Sequence, residues 1–476
     1  MHMIIGGRDA GSADDRWMDV INPATGGIID KVPRGSSADA DAAVEAAEAA
    51  FPSWSGRTAR ERGMILCHAA GKIREQHTAL ARLLTQEQGK PLKESIDEVR
   101  GCANILEYYS SIAGRPSGEL VQLGPAGDCL VTWVPLGVCG AIIPWNMPVL
   151  IMGWKLGPAL LAGNTVVLKP ASTTPLTNLG IARILQDAGL PPGVLNVVTG
   201  PGETVGPAIV CHPSVRKISF TGDCETGHRI REMAQGQFKE ITLELGGSDP
   251  MIVMDDADIG SAVEGAIRGR FYNAGQICTA VKRLYLHEKI APAFLKTLQE
   301  RTEALRLGDG LAPGTDMGPM NSAGQREKVA TVLGDALAHD EGGLLTGGSA
   351  PAGGAYEDGF FFRPTLVTGV APGSRLLTNE IFGPVLPVMT VLDLDTAIRE
   401  ANRSRYGLGA SVWTRDIGVV KRVFSEVKAG IVWVNRHLTV PPEVPFGGMN
   451  ESGIGRENGY HAIDAYTQTK TLFLGW

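Results

Sequence analysis

No two of the chain's seven cysteines stand in a Cys-x-x-Cys spacing, and their number is odd. That excludes the disulfide framework of small secreted domains and gives no cysteine-based zinc module. The nine histidines form no His-x-x-x-His pair and no cluster, so no metal site is indicated. Positive charge is not in excess: 44 Lys and Arg stand against 51 Asp and Glu, a net charge of −7. A nucleic-acid partner is therefore not expected. No uninterrupted apolar run approaches the roughly 20 residues that cross a bilayer, and no membrane partner is expected. The opening residues Met1-His2-Met3-Ile4-Ile5-Gly6-Gly7-Arg8 lack the apolar core of a signal peptide. A reducing cytoplasm is the expected location.

What is present is the material of a multi-domain globular enzyme. With 476 residues, 43% hydrophobic and 20% charged, the chain is too long for one compact core and has room for two or three domains. Residues 37–110 read as helices, Ala- and Glu-rich at 39–50 and with apolar residues at helical spacing over 59–76. From 138 to 253 short apolar runs alternate with helical stretches. Strands are expected at 138–143, 165–168, 195–198, 217–220 and 241–245, with helices at 149–161, 176–188, 203–211 and 225–234 between them. That alternation predicts an α/β fold with a parallel, doubly wound sheet that binds ligand outside the carboxyl ends of its strands. A second β-α region runs over 251–446, with Asp255-Asp256-Ala257-Asp258 as a helix cap before a helix reaching Phe271. Residues 120–136 read instead as a hairpin around Gly124-Pro125-Ala126-Gly127-Asp128, and the tail 466–476 alternates. The hairpin and tail together are expected to form an oligomerisation arm. The alternative is a hairpin that closes its own domain. The expected division is a cofactor domain at 1–118 and 137–250, a catalytic domain at 251–446, and the arm at 119–136 and 456–476.

Cys278 lies in Phe271-Tyr272-Asn273-Ala274-Gly275-Gln276-Ile277-Cys278-Thr279, and Glu244 stands 34 residues earlier in Leu243-Glu244-Leu245-Gly246-Gly247. A cysteine in a small-residue loop and a glutamate at a strand end suggest a thiol nucleophile and a separate water-activating base. Cys67, Cys102, Cys139 and Cys211 read instead as buried apolar residues. Asn146 follows a strand and the pair Pro144-Trp145. Its amide can donate to a developing oxyanion, although an asparagine there also suits a turn or helix cap. Gly200, Gly202 and Gly206 follow a strand and open a helix. Their spacing is Gly-x-Gly-x-x-x-Gly rather than the dinucleotide fingerprint.

The order of these stretches resembles the aldehyde dehydrogenase superfamily along nearly the whole chain. The resemblance is carried by Pro144-Trp145-Asn146, Leu168-Lys169-Pro170, Phe220-Thr221-Gly222, Leu243-Glu244-Leu245-Gly246-Gly247, Gly275-Gln276-Ile277-Cys278, Glu380-Ile381-Phe382-Gly383-Pro384 and Pro445-Phe446-Gly447-Gly448. It implies a Rossmann-like cofactor domain, an α/β catalytic domain and a small β oligomerisation arm. It assigns Cys278 as nucleophile, Asn146 with the Cys278 N–H as oxyanion hole, and Glu244 as the base for thioester hydrolysis. Members that pass the acyl group to coenzyme A typically lack that glutamate, so a free acid is the implied product. Lys155 and Glu457 are implied as a proton path to Glu244. The implied cofactor is NAD or NADP, held by Trp145, Lys169, Ser172, Gly202, Gly206, Gly222, Asp223, Gly227, Glu380 and Phe382. Asp223 departs from the family's usual Ser and sets a carboxylate near the expected pyrophosphate. Ser172 stands where NAD-preferring relatives often carry Glu, which makes NADP admissible.

The implied substrate is a small-molecule aldehyde. The segment Thr279-Ala280-Val281-Lys282-Arg283 resembles that of members acting on short polar aldehydes such as lactaldehyde, glyceraldehyde or a semialdehyde. Arg436 or His437 is expected by the aldehyde tunnel; a surface pairing of Arg436 with an acid is the alternative. The expected assembly is a homodimer or homotetramer. Two other functions compete: a coenzyme A-acylating semialdehyde dehydrogenase, and a non-catalytic binding protein that kept the fold.

Overall fold

The short apolar runs of the sequence become buried strands. In the computed structural model, which describes residues 1–114 and 118–475, Val138–Ile142, Thr165–Lys169, Leu195–Val197, Val215–Thr221 and Glu240–Glu244 pair in parallel. They form the middle of an eight-stranded sheet. Their side chains are buried almost throughout, as befits strands covered on both faces. The helices Pro148–Ala162, Leu176–Asp187, Gly202–Cys211 and Cys224–Ala234 make the crossovers. Starting from Val138–Ile142, the chain adds two strands on one side and then crosses to the other. This reversal opens a crevice at the carboxyl ends of Val138–Ile142 and Val215–Thr221, where ligands sit on such sheets.

A second sheet of seven strands runs from Asp249–Val253 to Ile431–Val434 and is parallel except at the edge pair Gly343–Thr346 and Thr365–Thr368. Asp258 caps the helix Ile259–Phe271 by accepting the Ser261 N–H, as the sequence suggested. That helix delivers the chain to Cys278. In the third sheet Asp128–Pro135 pairs with Gly118–Gln122 on one side and with the tail strand Thr467–Leu474 on the other, all antiparallel. Leu120, Val121, Leu123, Leu130, Leu472, Phe473 and Leu474 are exposed on or beside it. The expected first segment 1–118 and arm segment 456–476 include residues 115–117 and 476, which lie outside the described residues.

The cysteine expectation needs correcting. Cys102 and Cys139 are buried, but Cys67 and Cys211 are exposed. Both sit on helices whose inner faces are filled by other residues, a choice that composition does not make. Among the described residues no helix is long and apolar enough to cross a membrane, and no three metal-ligating side chains gather.

Candidate active site

The loop between the helix Ile259–Phe271 and the strand Val281–His287 carries Cys278 in a strained conformation. Asn273, Ala274 and Gly275 all have positive φ, at 50°, 52° and 72°. For Asn and Ala that conformation costs of order 1 kcal/mol each, so the surroundings must hold it. The buried guanidinium of Arg270 donates to the carbonyls of Val281 at 3.2 Å, Ile381 at 2.9 Å and Gly383. The carboxylate of Glu94 accepts the Asn273 N–H at 2.8 Å. Gln276 donates to the Asn273 carbonyl at 2.9 Å and accepts the Asn321 N–H at 2.9 Å. Lys282 reaches back to the carbonyls of Ile277 at 3.0 Å and Cys278 at 2.5 Å.

The loop meets the switch-point crevice at a cavity of about 460 Å³ whose walls include Cys278, Asn146, Glu244 and Thr221. Asn146 is buried, and its amide donates to the Gln276 carbonyl at 3.0 Å, which leaves one N–H of the amide. Its own carbonyl accepts from Lys90 at 2.7 Å and from the Asn273 amide at 3.0 Å. Lys90 in turn is paired with buried Glu98 at 2.5 Å, and Glu98 accepts the N–H groups of Val149 and Leu150. The Asn146 and Cys278 loops are thus locked to each other.

Glu244 ends its strand with a buried carboxylate, and neither oxygen has a hydrogen-bond partner among the described residues. Burial, with nearby Glu457, raises its pKa well above the usual 4.5. Glu457 is paired with Lys155 at 2.5 Å and accepts from Ser219 at 2.7 Å, and the charges of Glu457 and Lys155 both bear on Glu244. Burial also pushes the Cys278 thiol up to about 12. Lys282 opposes that shift, while Asp249, Glu380 and Glu244 add to it. The resting thiol is therefore protonated and needs an acceptor before it can attack.

The residues expected around a cofactor fall into two groups. No atom lies within contact of a side chain that would replace Gly202 or Gly206, so the start of the helix Gly202–Cys211 borders open space of the kind a diphosphate fills. Gly222 and Gly227 are explained differently. A side chain at Gly222 would overlap the Phe220 ring, and one at Gly227 would meet Leu245 at 2.7 Å. Asp223 caps the helix Cys224–Ala234, accepting the Thr226 N–H and hydroxyl at 2.8 Å each, so its carboxylate is already satisfied. Lys169 is buried, donates to the Pro170 carbonyl at 3.0 Å, and is lowered to about 8 by burial. Ser172 donates to the Gly200 carbonyl at 2.9 Å. Glu380 accepts the Gly247 N–H at 3.1 Å, and any side chain at Gly246 would collide with it. The Phe382 and Trp145 rings meet edge to face with centroids 5.5 Å apart. Open space at one helix start, a buried cation and an acceptor carboxylate suit a dinucleotide.

Two expectations are corrected. Arg436 is exposed and lines a separate surface cavity beside Asn435 and Trp413. Among the described residues it has no ion pair, so the alternative surface pairing is not seen either. His437 is buried and turned away, its Nε2 at 2.7 Å from the Thr279 carbonyl. Leu438 and Val440 reach the Cys278 cavity in their place. The sequence reading also passed over Lys90, Glu94, Glu98 and Lys282. Glu94 and Glu98 are four residues apart on the helix Leu92–Ser111, a spacing that puts them on one helical face and could have flagged them, while Lys90 lies in the loop before that helix.

The model of the aldehyde dehydrogenase family matches residues 10–472. A phenylacetaldehyde dehydrogenase of Pseudomonas fluorescens is 43% identical over 489 aligned positions, covering 100% of this chain and 96% of that one. PnpE from Pseudomonas sp. WBC-3, solved in complex with nicotinamide adenine dinucleotide, superposes with a TM-score of 0.98 at 38% identity, covering 100% of this chain and 97% of that one. A betaine aldehyde dehydrogenase from Staphylococcus aureus, solved with NAD+, gives a TM-score of 0.97 at 36% identity, covering 100% and 95%.

Proposed function

The chain belongs to the aldehyde dehydrogenase family, and from that premise we propose that it oxidises an aldehyde with an apolar, aryl-bearing body to the free carboxylic acid through a thioester on Cys278. The observation that carries this reading is the meeting of Cys278, Asn146 and Glu244 on one cavity whose apolar walls include Met147, Leu150, Ile151, Trp154 and Phe446, with Asp97, Arg268, Tyr272 and Thr279 also on its lining. The aromatic and aliphatic part of that lining favours an apolar body over lactaldehyde or glyceraldehyde, which have little apolar surface to bury there. The substrate of the Pseudomonas fluorescens relative has that character.

In this reading Cys278 loses its proton to solvent water entering the cavity and attacks the carbonyl carbon as the thiolate. The free N–H of Asn146 and the Cys278 N–H face the developing oxyanion, a donor worth about 3 kcal/mol. Bound NAD or NADP would supply the hydride acceptor. Trp145, Lys169, Ser172, Gly202, Gly206, Glu380 and Phe382 are the residues we assign to holding it, while Gly222 and Gly227 allow the close packing of Phe220 and Leu245 beside them. Asp223 then acts as a helix cap beside the pyrophosphate rather than as a direct contact. Ser172 offers no carboxylate to repel a 2′-phosphate, which supports acceptance of both cofactors. Glu244, held in an apolar setting with a raised pKa, takes a proton from the water that cleaves the thioester. Glu457 and Lys155 pass that proton on. Water activation by Glu244 favours a free acid over transfer to coenzyme A. Seven unpaired thiols support a reducing, cytoplasmic setting, and the apolar three-stranded sheet supports a homodimer or homotetramer. A panel of phenylacetaldehyde, betaine aldehyde, glyceraldehyde and succinate semialdehyde, assayed with NAD and with NADP, tests the proposal. The highest kcat/KM is expected for phenylacetaldehyde without added coenzyme A. A preference for glyceraldehyde would overturn the substrate assignment.

A further inference from the structure

The loop that carries Cys278 and the segment that carries Glu380 are 102 residues apart in the chain, yet one side chain touches both. The Nζ of Lys282 lies 3.0 Å from the Ile277 carbonyl, 2.5 Å from the Cys278 carbonyl and 3.0 Å from Oε1 of Glu380. It is 2% exposed, and its ammonium stands 5.8 Å from the centre of the Phe382 ring. The same Glu380 oxygen accepts the Gly247 N–H, and a side chain at Gly246 would overlap the other oxygen. Glu380 is therefore held by two donors, and the cation among them also grips the backbone of the Cys278 loop.

We propose that Lys282 is a positioning residue for the oxidation: its ammonium fastens the Cys278 loop to the Glu380 carboxylate, holding the thiol and the acid in one fixed relation. The proposal rests on the reading of Cys278 as nucleophile and Glu380 as an acid that holds the cofactor. Its physical content has two parts. The first is geometric. Without the cation two buried carbonyls and a mostly buried carboxylate lose a charged donor, and charge-assisted bonds of this kind are the strong ones. The second is electrostatic. The charged groups facing the thiol are Asp249, Glu244, Glu380 and Lys282. Three are acids, and Lys282 is the counterweight that keeps the thiolate within reach.

Lys282→Gln separates the two parts from mere folding, because its shorter amide keeps an N–H donor but carries no charge. In purified enzyme, alkylation of Cys278 by iodoacetamide, followed peptide by peptide by mass spectrometry, reads the thiol across the alkaline range. The variant is expected to react about tenfold more slowly at a given pH, with its profile displaced upward. The KM for NAD should rise about tenfold while the KM for aldehyde stays put. In a Glu380→Gln background the further effect of Lys282→Gln on the NAD KM should vanish, since the pair acts as a unit. Wild-type alkylation and an unchanged NAD KM in Lys282→Gln would overturn the proposal. So would a fully additive double variant. Cys278→Ala separates the two levels of argument: its loss of turnover supports the underlying reading, and retained turnover would sink that reading whatever Lys282 does.

Discussion

Burial acts on several titratable groups at once, with opposite signs. It raises the acids Cys278 and Glu244 and lowers the base His437. His437 is brought to about 4 from 6.5, with its Nδ1 buried and unpartnered. Between those values the unfolded chain binds a proton that the folded chain refuses. Its contribution is fully present above pH 6.5 and is lost as pH falls toward 4, up to about 3 kcal/mol. In denaturant titrations His437→Gln, which keeps a donor for the Thr279 carbonyl, is expected to flatten that acid-side loss. An unchanged slope would assign the loss to other groups. Ser172→Glu is expected to shift the kcat/KM ratio toward NAD by at least ~1.4 kcal/mol, tenfold, because a carboxylate would face a 2′-phosphate. An unchanged ratio would mean that the ribose end is read elsewhere. Cys278, Glu244 and Asn146, singled out by the family resemblance of their motifs, are brought onto one cavity; for Asn146 the residue types alone also suited a turn or helix cap. Lys282 was not legible in the sequence, since its role depends on where one ammonium lands between two distant segments. Arg436 and His437 were misplaced because a loop's sequence does not say which neighbour faces the cavity. Leu438, one residue on from His437, does.

At the scale of elements, the strained loop 273–275 decides how the thiol is presented. Gly275 has φ 72°, and a side chain there would collide with the Gly383 carbonyl. Gly275→Ala is therefore expected to shift the loop by a fraction of an ångström or more and to cut kcat about 100-fold, a cost typical of small misplacements. The fold should survive; circular dichroism and kcat on the same sample check this. Near-wild-type kcat would show that the loop tolerates movement. The parallel strands were readable because strands buried on both faces are continuous apolar runs, and 138–143 was placed within one residue of Val138–Ile142. The pairing of Asp128–Pro135 with Thr467–Leu474 depends on segments over 300 residues apart, which no local pattern encodes.

Across the whole molecule, the three-stranded sheet carries a run of exposed apolar side chains, Leu120, Val121, Leu130, Leu472, Phe473 and Leu474. If it joins copies, Phe473→Asp is expected to yield a smaller species by sedimentation at micromolar concentration, while wild-type enzyme sediments as a dimer or tetramer. Equal sedimentation of the two would remove the sheet from the assembly. The crevice of the first sheet and the Cys278 loop of the second part of the chain meet at one cavity, and the proposed chemistry needs both sides. Glu244→Gln isolates the step that joins them. Mixed with NAD and phenylacetaldehyde, the variant is expected to give one burst of NADH per active site and then to stall. Intact and peptide mass spectrometry should find the phenylacetyl group on Cys278. A stalled enzyme with no burst and an unmodified Cys278, or full steady-state turnover by the variant, would contradict the account.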